Sequence, residues 1–231
     1  MISHRKSAER GYADHGWLKS FHTFSFAGYY DPNHIHFRTL RVLNEDVIAP
    51  GNGFPEHGHD NMEIITVVLE GELEHKDSMG NTERIIPGEI QVMSAGAGIT
   101  HSEYNPSSTQ PLHLMQIWIF PKHQNTQPGY RQANFSKNIL PNTWTCFVSP
   151  DGKSGSLTID QDVELYGLEL TEGSSAGYEL RARHHSFIHL IHGTVVVNGV
   201  LISTGDALMI SNESFEVKAI SDSKLLMFDL T

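Results

Sequence analysis

The sequence predicts an all-β protein built as two successive barrels, and three observations predict it. Short apolar and β-branched runs alternate with glycine, asparagine and proline turns, the rhythm of barrels and sandwiches. Between Pro121 and Pro141 the composition shifts to Gln, Asn, Lys, Gly and Tyr, a linker signature, and beyond it the rhythm resumes. The halves also repeat: Ile191-His192-Gly193-Thr194-Val195 parallels Leu69-Glu70-Gly71-Glu72-Leu73, and Thr204-Gly205-Asp206-Ala207 parallels Pro87-Gly88-Glu89-Ile90. The expected domains are residues 1–135 and 136–231.

In order along the chain, aromatics and hydroxyls interleave from Phe21 to Phe26 and end at the turn Gly28-Tyr29-Tyr30-Asp31-Pro32, which reads as an aromatic strand packed over a barrel. Leu40 to Ile48 reads as a strand interrupted by Asn44-Glu45-Asp46, and Pro50-Gly51-Asn52-Gly53 supplies a loop. Ile64 to Leu69 is an unbroken apolar run, as in a strand buried on both faces. The next strand carries Leu73 and His75 and turns at Ser78-Met79-Gly80-Asn81, where glycine permits positive φ. Ile90 to Met93 leads into the small-residue loop Ser94-Ala95-Gly96-Ala97-Gly98. No Gly-Lys-Ser/Thr follows, so this is no phosphate loop. His113 to Pro121 closes the first set. The second set is Cys146 to Val148, Leu157 to Ile159, Val163 to Leu170, Tyr178 to Leu180, Phe187 to Ile191, Thr194 to Val197 and Leu225 to Phe228.

The chain has 231 residues and a formal charge of −11. So acidic a surface repels phosphates, which argues against direct contact with nucleic acid or anionic membranes. Cys146 stands alone, so no intrachain disulfide forms, and its apolar neighbourhood reads as a buried strand. The first twenty residues hold Arg5, Glu9, Arg10, Asp14 and Lys19 with no apolar run, and nowhere do the ~20 apolar residues of a membrane helix occur. A cytoplasmic monomer is expected.

Of 15 histidines, few have ligand spacing. His57 and His59 sit two apart, as do His101 and Glu103, and a strand sends residues i and i+2 to one face. Two such strands side by side converge three imidazoles and one carboxylate, a donor set for a divalent transition metal with coordination places left open. A closed structural zinc site would be richer in cysteine. Glu63, four residues past His59, shares the same face on simple alternation and stays a candidate. His75 reads as an exposed or hydrogen-bonded hairpin residue and His113 as a weaker pocket candidate.

Gly51, His57-x-His59, Glu63 and Gly71 resemble the first cupin motif; Gly88, Ser94-x-Gly96, His101 and Asn105 resemble the second, with Ser94 where many cupins have proline. His22-Thr23-Phe24-Ser25-Phe26, Tyr30-Asp31-Pro32, Leu69-Glu70-Gly71, His75-x-Asp77-Ser78-x-Gly80-Asn81 and His101-Ser102-Glu103-Tyr104-Asn105 together resemble the pirin family over nearly the whole chain. The resemblance implies two tandem cupin barrels, with His57, His59, His101 and Glu103 as metal ligands and Glu63 holding a ligand in orientation. It points to iron(II); manganese, cobalt, nickel, copper or zinc also suit the donors. Aligning the glycine turns sets Glu179 and Arg181 opposite His57 and His59, and Lys218 opposite His101. The second barrel therefore lacks the ligand set, although His184, His185, His189 and His192 remain there.

Pirins of this kind resemble quercetin 2,3-dioxygenases, which open the oxygenated ring of a flavonol with O2 and release CO. Glu103 is then the candidate base for the flavonol 3-hydroxyl, whose acidity the metal raises. The resemblance also implies an alternative, an iron-dependent redox-sensing regulator that binds a transcription factor or metabolic enzyme. Another small-molecule cupin activity is the third class.

Overall fold

A computed structural model describes the whole chain, residues 1–231, and it is almost entirely β. The first strands are β1 (Ile2–Arg5), β2 (Gly11–Asp14), β3 (Leu18–His22), β4 (Leu40–Ile48), β5 (Gly53–His59), β6 (Glu63–Glu70), β7 (Leu73–Asp77), β8 (Thr82–Ile85), β9 (Glu89–Ser94), β10 (Ile99–Tyr104), β11 (Leu112–Ile119) and β12 (Gly129–Asn134). There follow β13 (Thr145–Ser149), β14 (Leu157–Thr158), β15 (Val163–Leu170), β16 (Ser175–Tyr178), β17 (His185–His192), β18 (Thr194–Val197), β19 (Val200–Ser203), β20 (Ala207–Ser211), β21 (Phe215–Ala219) and β22 (Ser223–Leu230). No helix is long and apolar enough to cross a membrane.

The strands form two compact units, one of Gly11–Ser136 with Leu157–Gln161, the other of Met1–Arg10 with Lys137–Ser156 and Asp162–Thr231. In the first unit a sheet of order β12-β9-β6-β11-β4-β3-β2 faces a second of order β5-β10-β7-β8. The other unit repeats this plan, with β20-β17-β22-β15-β13 in its large sheet and β16-β21-β18-β19 in its small one. The repeat visible in two glycine turns thus extends to the topology. Leu18, Ile48, Val68, Leu112 and Leu114 of one sheet meet Leu73 and Ile85 of the other in the first unit. Leu168, Ile188, Leu208 and Leu225 meet Val195, Val197 and Val217 in the second. Each inner face therefore supplies the apolar burial that holds its pair of sheets together.

The expected single cut between residues 135 and 136 differs from these units at two places. Strand β1 pairs with β20, Ile2 opposite Ile210 and Arg5 opposite Ala207, so the first residues complete the second unit. Residues 157–161 belong to the first: the Lys122 amide donates to the Asp160 carbonyl at 2.6 Å, and His123 Nδ1 lies 2.7 Å from Asp160 Oδ1. Within the expected linker, β12 is an edge strand on β9, with Tyr130 opposite Met93. Its polar residues conceal it, because an edge strand needs backbone pairing more than an apolar face. Strand β4 runs without the expected interruption. Ser20, Asn44 and Asp46 are buried and lie along the first unit's cavity, so the polar residues of β4 mark an inward face rather than a break.

Candidate metal centre

The two ligand-spaced pairs lie on neighbouring strands of the small sheet in the first unit. In the β5–β10 ladder His101 stands opposite His57, and Ile99 opposite His59; the register then shifts, so that Glu103 faces Phe54. Three steps of β5 thus span two of β10, a bulge that holds Pro55, a residue with no N–H to give the ladder. Gly53 is needed beside it, because a Cβ there would lie 2.2 Å from the Glu103 carbonyl oxygen. The bulge also aims the Pro55 carbonyl, which accepts a hydrogen bond from His57 Nδ1 at 2.8 Å. With its proton on Nδ1, His57 keeps a lone pair on Nε2.

Ring centroids of His57, His59 and His101 lie 4.8, 4.5 and 4.9 Å apart taken pairwise, and one nitrogen of each lies within 4.8 Å of the others. Burial first, and the neighbouring imidazole second, hold His59 down at about 4; the same causes hold His101 down at about 3. Both rings are therefore neutral at ordinary pH, the form that binds a metal.

Glu103 is buried, and its Oε2 accepts a hydrogen bond from Gln116 Nε2 at 2.9 Å, while Gln116 Oε1 accepts one from Thr66 at 3.1 Å. Burial, more than the nearby charge of Asp46, pushes its carboxyl up to about 7. Glu103 Oε1 and His101 Nε2 are buried with no hydrogen-bond partner. Each such atom costs roughly 1–3 kcal/mol, a cost that a cation accepting both lone pairs would remove. The donor set and these orphaned atoms fit a divalent metal ion.

The expected four residues converge in two overlapping groups. His57, His59 and His101 form one; His101 and Glu103 form the other with His75. Of the two places expected for His75, exposed or hydrogen-bonded in a hairpin, the structure shows the second: its Nε2 lies 3.3 Å from Asp77 Oδ2, and it is completely buried because β7 pairs with β10 and sets His75 opposite Glu103. Glu63 joins neither group, and its Oε2 accepts a hydrogen bond from Ser94 Oγ at 2.8 Å rather than orienting a ligand ring. His113 lies away from the pocket, its Nε2 3.0 Å from Glu45 Oε1.

A cavity of about 670 Å³ lies near the centre without being lined by its four expected ligands; Trp17, Phe26, Tyr29 and Phe54 wall it, and Ser20, His22, Asn44 and Asp46 are among its polar groups. That volume suits a small-molecule ligand. Three links join it to the centre. The Phe54 ring lies 6.4 Å from that of His57; Phe26 packs edge-on against Trp118, which packs edge-on against His59; Asp46 acts electrostatically on Glu103. Sequence reasoning missed Asp46, Gln116 and the buried place of His75. Asn44 and Asp46, two apart within an apolar strand, carried a readable signal of an inward polar face.

The second unit has different residues at the corresponding places. Counting from the matching end pairs, Gly53 opposite Tyr104 and Ser175 opposite Lys218, the place of His101 falls to Phe215 rather than to Lys218. Alignment on the glycine turns missed this because the turn lengths between the strands differ. Tyr178 stacks on Phe215 with centroids 5.5 Å apart.

Residues 3–119 match the family model described as Pirin, and residues 146–230 the model described as Quercetinase C-terminal cupin domain. A quercetin 2,3-dioxygenase of Escherichia coli strain K12 is 50% identical over 235 residues, covering 100% of this chain and 99% of that protein. A pirin-like protein of Caulobacter vibrioides is 39% identical over 233 residues, 99% of each. The crystal structure of a bacterial pirin from Escherichia coli in complex with nickel(II) superposes with a TM-score of 0.95 at 50% identity, covering 100% of this chain and 99% of that one.

Proposed function

The chain belongs to the pirin family, with two cupin domains, and from that premise we propose that it is a metal-dependent dioxygenase that opens the oxygenated ring of quercetin-like flavonols with O2 and releases CO. The observation that carries this reading is the adjacency of a three-imidazole cluster, with the buried Glu103 carboxylate beside it, to an aromatic-walled cavity. The quercetin 2,3-dioxygenase name of the half-identical Escherichia coli relative favours it over a regulatory role.

On this reading His57, His59, His101 and Glu103 hold the divalent ion, and we propose iron(II). The ion supplies Lewis acidity toward the flavonol 3-hydroxyl and a path for electrons toward O2. Trp17, Phe26, Tyr29 and Phe54 take the planar rings of the substrate and keep water from them. Glu103 Oε1, on leaving the ion or sharing it, accepts the 3-hydroxyl proton, while Gln116 fixes Oε2 so that Oε1 stays aimed at the site. The proposed setting is cytoplasmic and monomeric, without direct nucleic-acid contact, in keeping with a single cysteine and an acidic chain.

The test is oxygen consumption with quercetin by protein stripped of metal and reloaded with one equivalent of iron(II). Glu103→Ala serves as control. Consumption that needs metal and Glu103 and is accompanied by CO is the expected result. No consumption with any loaded metal would refute the dioxygenase reading.

A further inference from the structure

His101 does not end at its own ring. Its Nδ1 lies 3.4 Å from His75 Nδ1, and His75 Nε2 lies 3.3 Å from Asp77 Oδ2. His75, His101 and the Asp77 side chain are all shut off from solvent, His101 being 2% exposed. The line is anchored at its far end. Asp77 Oδ1 accepts the amides of Met79 and Asn81 at 2.9 and 3.1 Å, and Oδ2 accepts Asn81 Nδ2 at 2.8 Å. Tyr130 packs on the His75 ring at 5.0 Å.

Donor and acceptor chemistry gives this line one direction. Asp77 can only accept when ionised, so His75 Nε2 carries the proton and His75 Nδ1 is left with a lone pair. Gln91 Nε2 lies 3.3 Å from that same Nδ1 and shares its one lone pair as a second donor. His101 Nδ1 must then be protonated, and its only lone pair is on Nε2, the orphaned buried atom. The Pro55 carbonyl does the same for His57, but through one backbone bond.

We propose that His75 and Asp77 are positioning residues for the metal: they fix the ring plane and tautomer of His101 so that Nε2 faces the ion. The proposal rests on the reading above that His101 is a ligand. It assigns a role to the pair without making either residue a ligand, although His75 also lies near Glu103.

The test measures nickel(II) affinity by competition with a chelating dye and imidazole coordination from the spin-echo spectrum of the copper(II)-loaded protein. His75→Leu, which removes the acceptor, is expected to weaken nickel(II) binding about 10- to 100-fold. His75→Asn, whose amide oxygen can occupy the place of Nδ1, restores it to within about threefold and keeps the native number of coordinated imidazoles. Asp77→Asn turns the His75 proton toward His101 and weakens binding about tenfold. Should His75→Leu fail to fold, the asparagine variants carry the test, and metal-free circular dichroism confirms that they fold. Three results would overturn the proposal: native affinity in the folded His75→Leu or Asp77→Asn variant, no recovery in His75→Asn, or the loss of one imidazole in copper-loaded His75→Asn, which would make His75 a ligand. His101→Ala separates the two levels: native affinity in that variant would refute the metal reading itself, whereas loss there with no effect at His75 and Asp77 sinks only the positioning role.

Discussion

Asp46 puts a carboxyl group into the wall of the cavity at 4% exposure, with Ser20 Oγ donating to it. Burial is the largest influence on this group and outweighs the Ser20 bond, so its pKa rises from 3.8 to about 7. In the unfolded chain the proton leaves near the lower value, in the folded chain near the higher. Between them the folded state holds more protons, so stability falls as pH rises through this window and levels off above it. A shift of about 3 units at 1.36 kcal/mol each corresponds to roughly 4 kcal/mol. Asp46→Asn keeps an acceptor for Ser20 and has nothing to titrate. The stability of Asp46→Asn relative to the native chain should therefore increase by roughly 3–4 kcal/mol from pH 4 to pH 8. Urea unfolding of both metal-free proteins across that range measures it, with the titration of Glu63 cancelling in the difference and that of Glu103 cancelling except for its coupling to Asp46. A difference constant to within about 0.5 kcal/mol would refute the reasoning. The functional corollary is that Asp46 offers the cavity an O–H donor below about pH 7 and a carboxylate above it.

Two further perturbations probe the wall of the cavity and the repair of the second unit. A Cβ on Gly11 would lie 2.4 Å from Cγ of Tyr29, so Gly11→Ala must displace that ring from the cavity wall. It should cost about 1–3 kcal/mol of stability and raise the KM for quercetin more than it lowers kcat, as steady-state kinetics with parallel thermal unfolding would show. Deleting Met1–Arg5 strips β20 of its edge partner, and calorimetry should find the second unit's melting lowered by about 5 °C or more. Nickel(II) binding by that deletion variant should match the intact chain, since all the proposed ligands lie in the first unit.

The legible parts of the chain were those that depend on local pattern. Apolar runs such as Ile64 to Leu69 and Val163 to Leu170 gave β6 and β15, and the two-residue spacing of His57/His59 and His101/Glu103 set each pair on one strand. What escaped was whatever pairing decides. Strand β12 is polar and forms because β9 offers it an edge; β1 lies far in sequence from its partner β20. His75 looked like a hairpin residue because nothing in its neighbourhood reveals that β7 lies against β10. The bulge at Pro55 was equally hidden, since spacing predicts which face a residue takes but not where a register slips.

The two units show what an open metal centre asks of a fold, because one plan is filled in two ways. In the second unit Asp229 is completely buried on β22, the strand matching β11, and its charge is met from within the chain. Arg181 Nε approaches its Oδ2 at 3.1 Å, Tyr178 donates to the same oxygen at 2.7 Å, and His184 Nδ1 lies 2.7 Å from Oδ1. Arg181 also reaches Asp162 at 3.1 Å. A guanidinium supplies a fixed cation with forked donors, so the charge of Asp229 is met without any ion, although its Oδ1 and His184 Nδ1 make no hydrogen bond. In the first unit Glu103 has one amide partner and one bare oxygen, and His101 has a bare nitrogen. Those atoms lower the stability of the metal-free chain, and the same deficit would give the proposed ion its hold. Filling the gap with a guanidinium would stabilise the first unit as well, but it would occupy the place proposed for the ion.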